Sequence, residues 1–236
     1  MQKFLFMLLS LVLLGPLGID LYLPTIPAIA VGLGSSEALI QSTISLFILV
    51  LGLGQVIAGP LVDNYGRKPV ALAGIILYMI GAAMAALATS PTIFIASRLL
   101  QGVAVCCTAV VAFSGVRDRL NGDDAARAFG FLNGTLNIIP ALAPLLGAWL
   151  LNHASWRAIF AALLAITALL LLPTLLLKER AKTQPSADAP KNGVSFWQLL
   201  RSPVFSGNVA MYAACSAGFF AWLTGSPFIL GDMGYS

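Results

Sequence analysis

Residues 39–88 read LIQSTISLFILVLGLGQVIAGPLVDNYGRKPVALAGIILYMIGAAMAALA. Two apolar runs, 39–61 and 70–88, flank a short break that carries Asp63, Arg67 and Lys68. Each run is close to the roughly 20 residues that a helix needs to cross the hydrocarbon core of a bilayer. Neither alternates as a membrane barrel strand does over about ten residues. Inside lipid every backbone N–H and C=O needs a partner within its own segment, and a helix supplies one. The stretch therefore reads as a helical hairpin through a membrane, and the chain as an all-α membrane protein.

The same alternation extends in both directions. Apolar runs fall at 4–30, 39–61, 70–88, 92–115, 128–151, 157–177 and 204–223, which makes about seven spans in 236 residues. Hydrophobic residues make up 59% of the chain and charged residues 9%, against about 25% charged in a soluble domain. Lys3 followed by the run 4–14, with Ala28-Ile29-Ala30 as a mimic of a cleavage site, has features of a signal sequence. The run continues through Asp20 to Pro27, so it reads better as a retained first span. Residues 178–202 include Pro185, Ser186, Asp188, Pro190, Asn192 and Gly193, a solvated linker composition, with a short interfacial helix expected at 197–200. The predicted organisation is a six-helix bundle over 1–177, a cytoplasmic linker over 178–202, and the first helix of a second bundle over 203–236.

The net charge of +4 follows topology, with no basic patch that points to nucleic acid. The breaks at 32–37, 89–91 and 152–156 carry no Lys or Arg. Those at 63–69, 117–127 and 178–201 carry Arg67 and Lys68, then Arg117, Arg119 and Arg127, then Lys178, Arg180, Lys182, Lys191 and Arg201. Positive charge is retained on the cytoplasmic side during insertion, so these loops and Lys3 are predicted inside, with a cytoplasmic N-terminus. Two cations depart from the pattern: Arg98 inside a span and Arg157 at an outer end.

Charges within hydrocarbon cost about 2.5–3.5 kcal/mol on insertion scales and mark functional sites by default. Asp20 lies about 24 Å along the first helix from its inner end, and Arg98 about 10 Å into the fourth from its outer end. The two are expected at similar depth, facing one cavity and within reach of pairing. Asp20 is the candidate proton-binding group, because desolvation disfavours its charged form, with Arg98 beside it. The structural alternatives are a static Asp–Arg pair and a carboxylate solvated from outside. Tyr22, Gln41, Gln101, Asn133 and Asn137 are candidate cavity residues, the two asparagines sharing one helix face at a spacing of four. Interhelical hydrogen bonding is the bland role open to each.

Pro16, Pro24 and Pro27 are expected to break the first helix, and Pro140 and Pro144, followed by Gly147, the fifth. Gly130 and Gly134, like Gly52, Gly54, Ala58 and Gly59, suit close helix packing. Cys106, Cys107 and Cys215 lie in apolar runs without metal-ligand spacing, and no metal or organic cofactor is expected. The single histidine, His153, has no nucleophile partner, so the chain does not read as an enzyme.

The break 59–69, Gly-Pro-Leu-Val-Asp-Asn-Tyr-Gly-Arg-Lys-Pro, is a tight inner turn in which Gly66 can take positive φ and Asp63 can meet a helix N-terminus. It closely resembles the signature loop of the major facilitator superfamily. Arg98-Leu99-Leu100-Gln101-Gly102 is similar to that superfamily's second motif, and Pro140 with residues 143–148 to its antiporter motif. This chain departs from the antiporter pattern at Ala143 and Ala148, where glycines are usual. Residues 18–24 with Pro27 resemble the Bcr/CflA branch of drug:proton antiporters, as does the seventh span. The match covers the N-terminal half of a twelve-span protein plus its seventh helix.

The resemblance implies proton-driven efflux of small molecules across a bacterial inner membrane by rocking of two six-helix halves. A proton gradient supplies the energy, and the missing C-terminal half of the same chain is the expected partner. It makes Asp20 the coupling carboxyl, tuned by Arg98. Gly59, Asp63, Gly66, Arg67 and Lys68 form a cytoplasmic latch, and Pro140, Pro144 and Gly147 shape the fifth helix and limit leak. A mostly apolar cavity suits amphipathic substrates such as drugs, nucleosides or metabolites. The rival reading is a non-transporting membrane remnant or helix-packing subunit, which needs only helices that associate.

Overall fold

The computed structural model describes residues 2–175 and 201–232. The predicted linker, apart from residues 201 and 202, and the expected interfacial helix at 197–200 lie outside the described residues. All regular structure among the described residues is helical: α1 (Gln2–Asp20), a 3-10 turn (Leu23–Thr25), α2 (Ile26–Gly32), α3 (Glu37–Tyr65), α4 (Arg67–Ala86), α5 (Pro91–Arg119), α6 (Gly122–His153), α7 (Arg157–Leu175) and α8 (Pro203–Asp232). Six stretches are long and apolar enough to cross a membrane: Phe4–Gly32, Glu37–Tyr65, Arg67–Ala86, Pro91–Arg119, Gly122–His153 and Arg157–Leu175. They coincide with the first six predicted spans, and the seventh apolar run forms α8. The chain divides into two compact units, Met1–Lys182 and Thr183–Ser236. In the second, α8 is a single helix with Val204, Met211 and Tyr212 exposed.

The helices outrun the apolar runs because capping groups lie outside them. Ser36 accepts a hydrogen bond from the Leu39 amide at 3.2 Å and starts α3. Ser90 does the same for α5 from the Ile93 amide, with Pro91 in the first turn. At the other ends, the expected loop 117–127 is mostly helix. Arg117 and Arg119 close α5, and Asp123 and Asp124 open α6, each sign on the end that the helix dipole favours. The inner turn after α3 is a single residue, Gly66, at φ 91°, a conformation that other residues adopt only at a cost.

Helix α5 is the centre of the first unit, and glycines let its neighbours approach. Gly54 of α3 lies against Cys106, and Gly102 against the Phe47 carbonyl. Gly74 and Gly81 bring α4 onto the other side of α5. A Cβ at Gly81 would stand 2.7 Å from Gln101 Cγ and 3.0 Å from the Ser97 carbonyl. Gly81→Leu is therefore expected to destabilise the bundle by about 3 kcal/mol or more, since the backbone on one side cannot yield. The melting temperature of the purified protein in detergent checks this.

Three sequence expectations change. Pro16, Pro140 and Pro144 do not break their helices, which continue through them. A proline removes one hydrogen bond and crowds one carbonyl, and a packed helix carries that. The first span breaks instead just after Asp20, where Pro24 and Pro27 occupy the first turns of the 3-10 segment and of α2, the position proline favours. Finally, Gly130 and Gly134 have nothing of the first unit within 4 Å of where a Cβ would stand, and the same holds for Gly52 and Gly59. The side of α6 that packs carries Ala128, Leu132, Ala143 and Gly147 instead.

Candidate functional site

The break in the first span leaves a short irregular segment inside an apolar bundle, and neighbouring helices grip it. Arg98, projecting from α5, is fully buried. Its Nη2 donates to the carbonyl of Gly18 at 2.6 Å, and its Nη1 donates to Oε1 of Gln101, one turn further along α5. The guanidinium carbon lies 4.5 Å from the centre of the Tyr22 ring and 4.7 Å from that of Phe47. A buried charge is costly unless its donors are met. Here a carbonyl near the negative end of α1, an amide and two aromatic faces meet most of it. Arg98 Nε and Gln101 Nε2 remain without a partner among the described residues.

Asp20, the last residue of α1, is 4% exposed. The Asp20–Arg98 pairing that their shared depth allows is not formed. The guanidinium is held by the backbone two residues earlier, and the Asp20 carboxyl has no hydrogen bond or ion pair among the described residues. A backbone carbonyl competes well for arginine here because the helix break frees it at the right depth.

Tyr22 is also fully buried rather than lining open space. Its ring sits 5.9 Å from that of Phe160 and 6.3 Å from that of Phe94. Its hydroxyl lies 3.0 Å from Thr43 Oγ1 on α3. The Thr43 hydrogen is directed to the Ile40 carbonyl at 2.6 Å, so Tyr22 is the donor. Gln101 is likewise buried, spent on Arg98. Gln41 is half-buried on α3, and Asn133 and Asn137 are exposed on α6. Each asparagine donates to the carbonyl four residues back, at 2.9 and 2.7 Å.

Residues that sequence reasoning passed over complete the site. Phe47 and Phe160 were indistinguishable from core residues. Tyr78 of α4 donates to the Leu14 carbonyl at 3.1 Å, and its hydroxyl fills the space beside Gly18. On the opposite flank Gly147 of α6 lies against the carbonyl of Leu21.

At the predicted inner end, Asp63 is exposed in the last turn of α3, and no side chain caps α4. Among the described residues Asp63 makes no hydrogen bond to that helix start, and Gly66 makes the turn. Gly59 and Lys68 are partly exposed, and Arg67 forms an ion pair with Asp118 at the end of α5. At the other end Arg157 donates to the Ala88 carbonyl at 2.9 Å and stacks on Trp156 at 4.2 Å. That accounts for a cation on the side where the charge pattern expects none.

Comparison with known proteins agrees with this architecture. The family described as Major Facilitator Superfamily matches residues 8–236. Multidrug resistance protein MdtL of Escherichia coli O9:H4 (strain HS) is 35% identical over 232 residues, as is MdtL of Shigella flexneri. In both cases the alignment covers 98% of this chain and 59% of the relative, so the chain spans rather more than half the length of these relatives.

Proposed function

Because this chain belongs to the major facilitator superfamily, we propose that it forms the N-terminal bundle and linker of a proton-coupled efflux transporter for small amphipathic molecules. The reading places it in a bacterial inner membrane with a cytoplasmic N-terminus, in the Bcr/CflA branch, working by alternating access. The naming of its relatives as multidrug resistance proteins supports efflux as the direction. The observation that carries the proton is Asp20, a nearly buried carboxyl without a partner among the described residues, placed two residues after the carbonyl that holds Arg98.

In this mechanism the protonated, neutral carboxyl leaves Arg98 on Gly18. Loss of the proton creates a carboxylate that competes for the guanidinium and pulls it from the carbonyl, loosening the break in the first span. Two charge states thus favour two geometries of one segment, which is what coupling requires. The exposed Asn133 and Asn137 and half-buried Gln41 are the proposed substrate contacts, with Tyr22 and Gln101 reached only when the segment shifts. The second six-helix bundle of a full-length transporter would supply the opposite wall of the cavity.

Ethidium, a lipophilic cation, tests the class of function. Cells that produce the full-length transporter should hold severalfold less dye than cells without it. An uncoupler that collapses the proton gradient should erase the difference. Efflux that persists after uncoupling would exclude proton coupling.

A further inference from the structure

We propose that Gly147 is the positioning residue through which α6 holds the segment that bears Asp20. The inference rests on the reading of Asp20 as the coupling carboxyl. A Cβ on Gly147 would collide with the Leu21 carbonyl oxygen, stand 3.0 Å from the Leu21 carbonyl carbon and reach within 3.2 Å of Pro24. These are backbone atoms and a rigid ring, so a larger residue cannot be accommodated by turning a side chain aside. Leu21 follows Asp20 directly. The carbonyl that α6 touches therefore lies on one side of Asp20, and the Gly18 carbonyl that Arg98 holds lies on the other.

Other helices also hold this segment. Tyr78 of α4 fills the space at Gly18, and Thr43 of α3 takes the Tyr22 hydroxyl. Gly147 and, one turn before it, Ala143 are the buried residues in this half of α6. The opposite side of the same helix is exposed, with Ile138, Leu142, Leu145 and Trp149. A helix with one face on the Asp20 segment and the other unpacked by its own unit can carry movement to that segment, and Gly147 is where the two backbones come closest to collision. Gly147 thus acts here by proximity. The helix it sits in runs unbroken through Pro140 and Pro144.

The test uses the full-length transporter with Gly147→Ala, Gly134→Ala and Asp20→Asn in parallel. Both ethidium binding to purified protein and maximal uphill efflux per folded molecule are measured. For Gly147→Ala the maximal rate should fall about tenfold or more while the half-saturating concentration and binding stay within about twofold, the split expected when a misplaced group slows turnover without altering binding. Gly134→Ala, where a Cβ meets open space, should match wild type. Full turnover by Gly147→Ala, an equal loss of binding and rate, or the same loss in Gly134→Ala would each overturn the proposal. Unimpaired efflux by Asp20→Asn would instead remove the underlying reading of Asp20. Should Gly147→Ala fail to accumulate, Ala143→Ser adds one atom to the same buried face and should show the same split at smaller size; unchanged turnover there overturns the proposal.

Discussion

Asp20→Asn is expected to abolish uphill efflux while leaving membrane insertion and folding intact. Asparagine keeps the shape of aspartate and removes the titratable proton. The carboxyl makes no hydrogen bond or ion pair among the described residues, so its replacement breaks no contact. Removing a buried ionisable group without a partner among the described residues should leave stability unchanged or raise it by about 1 kcal/mol. The variant is then held in the geometry of the neutral carboxyl, with Arg98 on the Gly18 carbonyl. Efflux at the background level, with wild-type amounts of protein in the membrane, is the expected pair of results. Transport at the wild-type rate would show that the proton is carried elsewhere.

Arg98 should behave differently, because it supports the fold as well as the proposed switch. Arg98→Ala removes the donor of the Gly18 carbonyl and of the Gln101 side chain, and empties the space between the Tyr22 and Phe47 rings. Unpaired buried polar groups and a cavity together cost about 3 kcal/mol or more. Arg98→Lys keeps the charge and can reach one acceptor, but a single ammonium does not reproduce the planar fork that holds two partners at once. The lysine variant should therefore fold with a loss of about 1–2 kcal/mol and lose most of its efflux. The alanine variant should lose both. Thermal melts in detergent alongside dye efflux separate these outcomes, and a lysine variant with full efflux would show that the second donor contact is dispensable.

Much of this architecture is legible in the sequence because the bilayer imposes a coarse rule. Apolar runs of one length, separated by breaks of alternating charge, mark the six helices of the first unit without any packing detail. Depth is legible too. Counting residues along oppositely running helices sets Asp20 and Arg98 at one level, and the Arg98 guanidinium meets the first span at Gly18, two residues from Asp20.

Azimuth and backbone geometry are not written in spacing. Nothing in the sequence marks a backbone carbonyl as an acceptor, so the sequence offers an Asp–Arg pair as a possibility where the structure has an Arg–carbonyl contact. Tyr22 and Gln101 read as cavity groups by polarity alone, yet each is buried against a partner from another part of the fold. The prolines mislead for a related reason. Pro140 and Pro144 remove single hydrogen bonds from a helix held on one face, whereas Pro24 and Pro27 coincide with a segment whose carbonyls are met from outside. Gly147 and Gly134 look alike in sequence, and only the packing shows that one lies against a carbonyl and the other faces open space.

The central claim, that Asp20 carries the coupled proton, is tested most directly by proton release. Full-length transporter in detergent, in weakly buffered solution with a pH indicator, is mixed with a saturating amphipathic cation such as ethidium. Wild type should release protons on binding, and Asp20→Asn should bind the dye and release none. Equal proton release from both proteins would contradict the account.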